Sequence, residues 1–130
     1  DQDDEVRAAL RRSESLAHRY PNGFSAQMAL VMLRALVEKG FVKCVGVVTN
    51  LRPARNRARL ARGTLEELGL ATTPVAIGTD GGSEKHVDTF TDTAGSYMPD
   101  DEGFEAPDGQ ELLLREVRRA AARLARYHKI

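Results

Sequence analysis

The chain has 130 residues, of which 42% are apolar and 29% charged, and its 19 basic and 19 acidic residues give no net charge. This length predicts one domain, and the balanced charge gives the chain as a whole no attraction to nucleic acid or to a membrane surface. The single Cys44 excludes an internal disulfide and fits a reducing compartment. The longest apolar run, residues 28–37, is too short to cross a bilayer. Because the N-terminus is acidic, no secretory signal is predicted, and we expect a cytoplasmic protein.

Residues 3–20 are predicted to form an amphipathic helix. Acidic residues at positions 3–5 lie in its first turn, where they complement the helix dipole, and Pro-Asn-Gly at 21–23 ends it. Its apolar residues fall on one stripe, which comprises Val6, Leu10, Leu16, Ala17 and Tyr20. We therefore divide the chain into an N-terminal helical segment, residues 1–21, and an α/β domain, residues 22–130.

A buried helix and a central strand are predicted next. Ser25 is a suitable N-cap and Gly40 a suitable C-terminal residue for a helix between them. Residues 28–37 are apolar almost all round this helix, which predicts burial on most sides. Residues 42–49 are rich in β-branched side chains without clean alternation, which is typical of a central parallel strand covered on both faces.

The rest of the domain is predicted as helix, strand, long connection and helix. Pro53 fits the first turn of a helix that Gly69 ends, and residues 74–78 form a second strand. Residues 79–107 are a Gly- and Asp-rich connection, after which Asp108 caps a final helix. Its stripe, which we expect to be buried, comprises Leu113, Val117, Ala120, Leu124 and Tyr127. Two strands are too few for a stable sheet, so either another strand lies in the connection or a partner chain completes the sheet.

Three segments together resemble a known enzyme family. They read MALV at 28–31, GVVTNLRPAR at 46–55 and PVAIGTDGGS at 74–83. In this order and spacing they resemble nucleoside hydrolases of the inosine-uridine type, and the likeness is closest to the nucleoside-hydrolase-like effectors of plant-pathogenic bacteria. It extends to Tyr97 and, more loosely, to the helix that begins at Asp108. The resemblance implies an α/β fold that is the N-terminal half of a Rossmann-like parallel sheet with flanking helices, and therefore a truncated domain.

The residues that would bind metal in this family are replaced here. The family cleaves the N-glycosidic bond of ribonucleosides with a calcium ion, which a cluster of aspartates holds just before the helix matching residues 28–37. Calcium takes about six to eight oxygen ligands, and an ionised carboxylate must also activate the attacking water. The matching positions are Gly23, Ser25 and Ala26, none of which has a carboxylate. The family's second half, with a further metal-binding Asp and a base-contacting His, does not occur in the chain. We therefore predict no bound calcium or other cofactor and no hydrolase activity.

The resemblance leaves candidates for weak binding of a ribonucleoside or another ribose-containing ligand. In the family, the Asn that matches Asn50 contacts the sugar, and Asn50 follows the first predicted strand at the edge where open α/β sheets bind ligands. Asp80, Gly81 and Gly82 follow the second strand at the same edge, and His86 is a candidate for the same pocket. The alternatives are that Asn50 caps the following helix, that residues 80–82 form a simple turn, and that His86 is solvated.

Three further hypotheses concern partners. Arginines cluster at 52–62 and 115–126, opposite the acidic connection, and we favour internal charge complementarity over nucleic-acid binding because no aromatic residues interleave with them. Arg12 and Ser15 belong to a short motif that resembles the phosphoserine sites read by 14-3-3 proteins, which indicates an effector-type protein-interaction module. The last hypothesis is an active ribonucleoside hydrolase completed by a partner chain, for example in a homo-oligomer.

Overall fold

The computed structural model of the chain describes residues 24–82 and 97–127, and within these ranges its fold is mixed α/β. The elements in chain order are α1 (Phe24–Glu38), β1 (Val47–Thr49), α2 (Ala54–Glu67), β2 (Val75–Ile77) and α3 (Gly109–Tyr127). The helix predicted at residues 3–20 lies outside the described residues, as do residues 83–96 of the long connection. The order of the other predicted elements is confirmed, whereas the Rossmann-like assignment stays a prediction.

The two strands pair in parallel and form a small sheet. Val47 lies opposite Val75, and Thr49 lies opposite Ile77. On the other side of β2, the amide of Ile77 donates to the carbonyl of Pro107 at 3.0 Å, and a single parallel bridge joins Ile77 to residue 108. The long connection therefore supplies one bridge beside β2 rather than a full third strand within the described residues.

The predicted central strand at 42–49 is mostly wrong. Regular strand structure covers the last three of these residues, and Val42 and Val45 are 42% and 46% exposed. The residues of β1 are half-buried rather than buried on both faces. The physical reason is that β1, within the described residues, has a hydrogen-bonded neighbour on one side only. Its second edge is open.

The main core lies between α2 and the sheet. Ala58, Ala61 and Leu65 recur at steps of three and four along α2, and they bury their side chains against Val75 of β2. Alanines at this face let the helix axis come close to the sheet, so Leu65 is the largest side chain that is almost completely enclosed. The β1–α2–β2 unit is therefore the structural centre of the described chain.

A second, smaller cluster lies on another side of α2. Leu60 is 7% exposed and packs against Tyr97 and Met98, which follow the long connection. Gly63 lies beside them, and a Cβ at this position would overlap the carbonyl oxygen of Tyr97 and stand 2.8 Å from the carbonyl carbon. The missing side chain at Gly63 therefore allows the backbone at 97–98 to cross directly over the helix.

Both α1 and α2 end as predicted, at glycines in the left-handed conformation. Gly69 has φ +73°, its amide donates to Glu66 at 3.0 Å, and the amide of Leu70 donates to Leu65 at 2.7 Å. This pattern is the Schellman motif, and Gly40 forms the same motif with φ +75°.

The start of α1 differs from the prediction. It begins at Phe24, so residue 25 lies inside the first turn and is not the N-cap.

The predicted burial of α1 is wrong. None of residues 27–38 is buried, and Val31 is 45% exposed. In the described part of the chain, α1 packs against α2. One polar contact fixes it there, because Arg34 Nε donates to the carbonyl of Leu68 at 2.7 Å just after α2 ends. A helix that is apolar all round needs cover on several sides, and here the described residues provide it on one.

The final helix begins where predicted. The Oδ1 atom of Asp108 accepts from the amides of Gln110 and Glu111 at 2.9 and 3.2 Å, which confirms Asp108 as its N-cap. The first turn packs on the sheet face opposite α2, because Leu112 is 2% exposed and covers Gly46.

The predicted burial of the α3 stripe is wrong. Its four large members are all exposed, by 56% at Leu113, 65% at Val117, 61% at Leu124 and 76% at Tyr127. The reason is geometric, since α3 contacts β1 and β2 through its first turn and then runs past the end of the small sheet.

Candidate functional site

A cavity of about 280 Å³ opens at the carboxyl end of β1, between α1 and α2. Its walls are largely aliphatic and come from Leu30, Leu60 and Ala61, together with the backbone of β1. Polar residues also line it, and these are Gln27, Thr49, Asn50, Arg57 and Thr64. The cavity lies against all three residues of β1 and the Asn50 that follows them.

Asn50 lines this cavity and also holds the two strand ends together. Its Oδ1 accepts from the amide of Thr79 at 3.1 Å. This bond fixes the orientation of the side-chain amide, and the Nδ2 group makes no hydrogen bond within the described residues. Gly78 makes room for it, because a Cβ there would overlap Asn50 Oδ1. The alternative that Asn50 caps α2 is wrong.

Asp80 is the residue that caps α2. Its Oδ1 accepts from the amide of Ala54, the first residue of the helix, at 2.8 Å. Pro53 occupies the N-cap position and has no side chain able to accept this bond. A carboxylate at a helix N-terminus is favoured both by the unpaired amides and by the helix dipole. Asp80 therefore has a structural role and does not line the cavity.

The segments after β1 and β2 continue side by side beyond the strand ends. The amide of Leu51 donates to Thr79, and that of Arg52 donates to Asp80, both at 2.8 Å. Leu51 has φ +71°, and Gly81 has φ +72° with its amide bonded to Thr79 Oγ1 at 2.9 Å. The Thr79 side chain thus closes a short side-chain turn over residues 79–81. Gly81 and Gly82 are exposed and, like Asp80, lie outside the cavity lining.

Gln27 and Arg57 are cavity residues that the sequence analysis did not assign to a site. Gln27 lines the cavity, and its Nε2 donates to the hydroxyl of Tyr97 at 2.6 Å. Arg57 Nε donates to the carbonyl of Leu51 at 3.1 Å, so it steadies the loop that carries Asn50. The sequence provided a reason to consider both residues as site candidates. Gln27 directly precedes the matched segment at 28–31, and Arg57 lies one helical turn after Pro53.

The other predicted site residues are not brought into this cavity by the described part of the chain. Gly23, His86, Arg12 and Ser15 lie outside the described residues. Positions 25 and 26 lie in the first turn of α1. Among residues 24–82 and 97–127, no group of three or more His, Cys, Asp or Glu side chains could hold a metal ion. Whether calcium binds therefore stays a matter of prediction.

Arginines of α2 bind the segment that follows the long connection. Arg55 Nε lies 2.7 Å from Asp101 Oδ1, and its guanidinium also donates to the carbonyl of Phe104 at 2.8 Å. The hydrogen bond from Arg55, helped by the charges of Arg55 and Arg59, lowers the pKa of Asp101 below its usual 3.8, against an opposing effect of desolvation. Arg59 Nε donates to the carbonyl of Pro99 at 2.9 Å. These contacts are the internal complementarity expected between the arginines and the acidic connection.

Comparisons of the chain with protein-family models, with curated proteins and with solved structures find no match. The likeness to nucleoside hydrolases is therefore a prediction that depends on the quoted residues. Within the described residues, no helix has both the length and the apolar character needed to cross a membrane.

Proposed function

We propose that this chain is a nucleoside-hydrolase-like domain that binds a ribose-containing ligand, such as a ribonucleoside, without hydrolysing it. The observation that carries the proposal is the cavity at the carboxyl end of β1, with aliphatic walls and an amide at its margin from Asn50. Open α/β sheets bind ligands at this edge. Asn50 is also the residue that the family resemblance assigns to the sugar.

The chemistry of the cavity suits a nucleoside. The walls formed by Leu30 and Leu60 can bury the flat face of a base, while the margin offers groups that pair with sugar hydroxyls. Asn50 Nδ2 can donate and Gln27 Oε1 can accept. Small-molecule pockets usually measure roughly 300–1,000 Å³, so a cavity of about 280 Å³ favours a single nucleoside over a dinucleotide.

Binding without hydrolysis follows from residue chemistry. Cleavage of the N-glycosidic bond needs a carboxylate that activates water and a set of oxygen ligands for calcium. Gly23, Ser25 and Ala26 stand where the family has aspartates. The first and third of these have no side-chain oxygen, and a serine hydroxyl is neither a strong base nor an anionic ligand. A ligand would therefore be held and released intact.

The proposal is tested by titrating inosine and uridine into the purified chain, with calcium or with a chelator, and assaying free base in the same samples. We expect saturable binding that does not depend on calcium, and no base release. At a ligand concentration of 100 times Kd, the free energy of unfolding should rise by about 2.7 kcal/mol. Metal-dependent base release would support the active hydrolase instead. Absence of binding would refute the proposal and favour the interaction module that Arg12 and Ser15 suggest.

Three variants locate the ligand. Asn50→Asp keeps the oxygen that accepts from Thr79 but removes the Nδ2 donor, so affinity should fall about tenfold while the fold is retained. Ala29→Leu should block binding by filling the cavity from α1, because Ala29 lines it. Ala35→Leu on the same helix is the matched control, since Ala35 is exposed and is not part of the lining. Equal binding by both leucine variants would mean that the ligand lies elsewhere.

A further inference from the structure

The exposed stripe of α3, defined above by Leu113, Val117, Ala120, Leu124 and Tyr127, is a surface without a described partner. Its members follow one another at steps of four, three, four and three residues. This spacing is the seam of a helix that packs along another helix. Four large apolar side chains that are 56–76% exposed along one helix mark a contact surface rather than isolated exposed residues.

The N-terminal segment has a stripe of the same spacing and length. Val6, Leu10, Ala17 and Tyr20 of the predicted apolar stripe, with the polar Ser13 between Leu10 and Ala17, also follow at steps of four, three, four and three, and each series spans 15 residues, 6–20 and 113–127. Two helices with the same apolar period over the same length can pack along their whole seam. The small side chains at Ser13, Ala17 and Ala120 would let the helix axes approach closely.

The charges give the pairing a direction. Residues 3–5 are all acidic, whereas the last two turns of α3 carry Arg123 and Arg126. An antiparallel arrangement brings these opposite charges together, while a parallel one puts the acidic end beside Glu111. Residues 3–20 balance four arginines with four acidic residues, so they add no net positive charge to α3. A second copy of α3 is a poorer partner, because each copy brings five arginines and two glutamates, and like charges along a helical interface repel.

The chain path favours the same direction. Gln27, in the first turns of α1, lines the cavity at the carboxyl end of β1, so the chain enters α1 near that edge of the sheet. The first residue of α3, Gly109, lies at this edge too, because a Cβ there would stand 3.1 Å from Gly78 Cα. Residues 21–23 can reach about 10 Å. An antiparallel arrangement puts the C-terminal end of the segment at this same edge of the sheet.

We propose that residues 3–20 form a helix that docks antiparallel on the exposed stripe of α3. This contact covers the apolar side chains of both helices and matches the acidic end of one with the basic end of the other. It is independent of the nucleoside proposal, since none of its residues lines the cavity.

The test is disulfide formation in a chain that carries Cys44→Ala. Tyr20→Cys with Leu113→Cys pairs the facing ends of an antiparallel arrangement, and Val6→Cys with Leu113→Cys is the parallel control. We expect the first variant to form an intramolecular disulfide under mild oxidation, seen as a monomer that migrates faster without reductant, and the control to stay reduced. A crosslinked dimer, a disulfide in the control alone, or none in either variant would overturn the proposal.

A charge-reversal experiment checks the same contact without cysteines. Arg126→Glu should lower the urea midpoint, and adding Asp3→Arg should restore it. Arg115 lies on the opposite side of α3 from the stripe, so any loss caused by Arg115→Glu should not be restored by Asp3→Arg. If Asp3→Arg does not restore the midpoint of Arg126→Glu, the proposal is contradicted. Binding of the unaltered chain to vesicles rich in phosphatidylserine through the α3 stripe would also contradict it, because a docked segment covers that face.

Discussion

The substitution Gly63→Ala should destabilise the protein, although it replaces a glycine in the middle of a helix by the best helix former. Helix propensity alone predicts a gain of about 1 kcal/mol. The new methyl group, however, would overlap the carbonyl oxygen of Tyr97 and lie 2.8 Å from its carbonyl carbon and 3.2 Å from Met98 Cα. These are backbone atoms, so no rotamer change can relieve the overlap.

The magnitude follows from what must move. Overpacking in a tight contact costs about 1–3 kcal/mol. A shift of residues 97–98 would also expose part of Leu60, and full burial of such a side chain stabilises the fold by about 1.5–3 kcal/mol. After subtracting the gain in propensity, we expect a net loss of about 2 kcal/mol. With a urea m-value of about 2 kcal/mol per M for a small domain, the midpoint should fall by about 1 M.

Urea unfolding followed by circular dichroism at the helical band measures this effect. Gly82→Ala is the control, because a Cβ at Gly82 meets nothing within 4 Å and its φ is not positive; its stability should stay within about 0.5 kcal/mol of the parent. If Gly63→Ala unfolds at the same urea concentration as the parent, or at a higher one, the close crossing of the 97–98 backbone over α2 does not exist.

Three further changes test other contacts. Asp80→Ala removes the cap on the Ala54 amide and should cost about 1 kcal/mol in urea unfolding, whereas Asp80→Asn keeps the acceptor and should cost less. Arg62→Ala removes donors to two carbonyls of the α2–β2 loop and should cost about 1.5–3 kcal/mol; a neutral result would mean these bonds are not formed. Because Arg55 lowers the pKa of Asp101, the pair stabilises the fold above pH 3.8 and ceases to do so as the pH falls through the lower folded-state pKa. Asp101→Asn should therefore be less stable than the parent at neutral pH and equal to it in strong acid; a difference that persists in acid would exclude the ion pair as its source.

Local signals in the sequence predicted the order of the described elements, the ends of α1 and α2 and the start of α3. Glycine after an apolar run specified the ends of α1 and α2, because only glycine adopts the left-handed conformation of a Schellman motif without strain. Asp108 was recognisable as an N-cap because its partners lie two and three residues away. Each of these features depends on contacts within a few positions of the chain.

Features that depend on distant residues were not predictable in this way. The cap of α2 comes from Asp80, which lies 26 positions after the amide that it accepts from. The apolar pattern of α1 and α3 indicated which face would be buried, but not whether a neighbour exists to cover it. Gln27 joined the candidate site because Tyr97, 70 positions away, holds its side chain. Such contacts require the fold to be known first.

The hydrogen bonds that continue past the ends of β1 and β2 have a consequence for recognition. Leu51 and Arg52 are tied laterally to Thr79 and Asp80, so the rim beside the cavity is already fixed before any ligand arrives. A ligand that binds there would not need to order a flexible loop. Less of its binding free energy would therefore be offset by lost backbone entropy. Weak contacts at such a preorganised rim can therefore give measurable affinity.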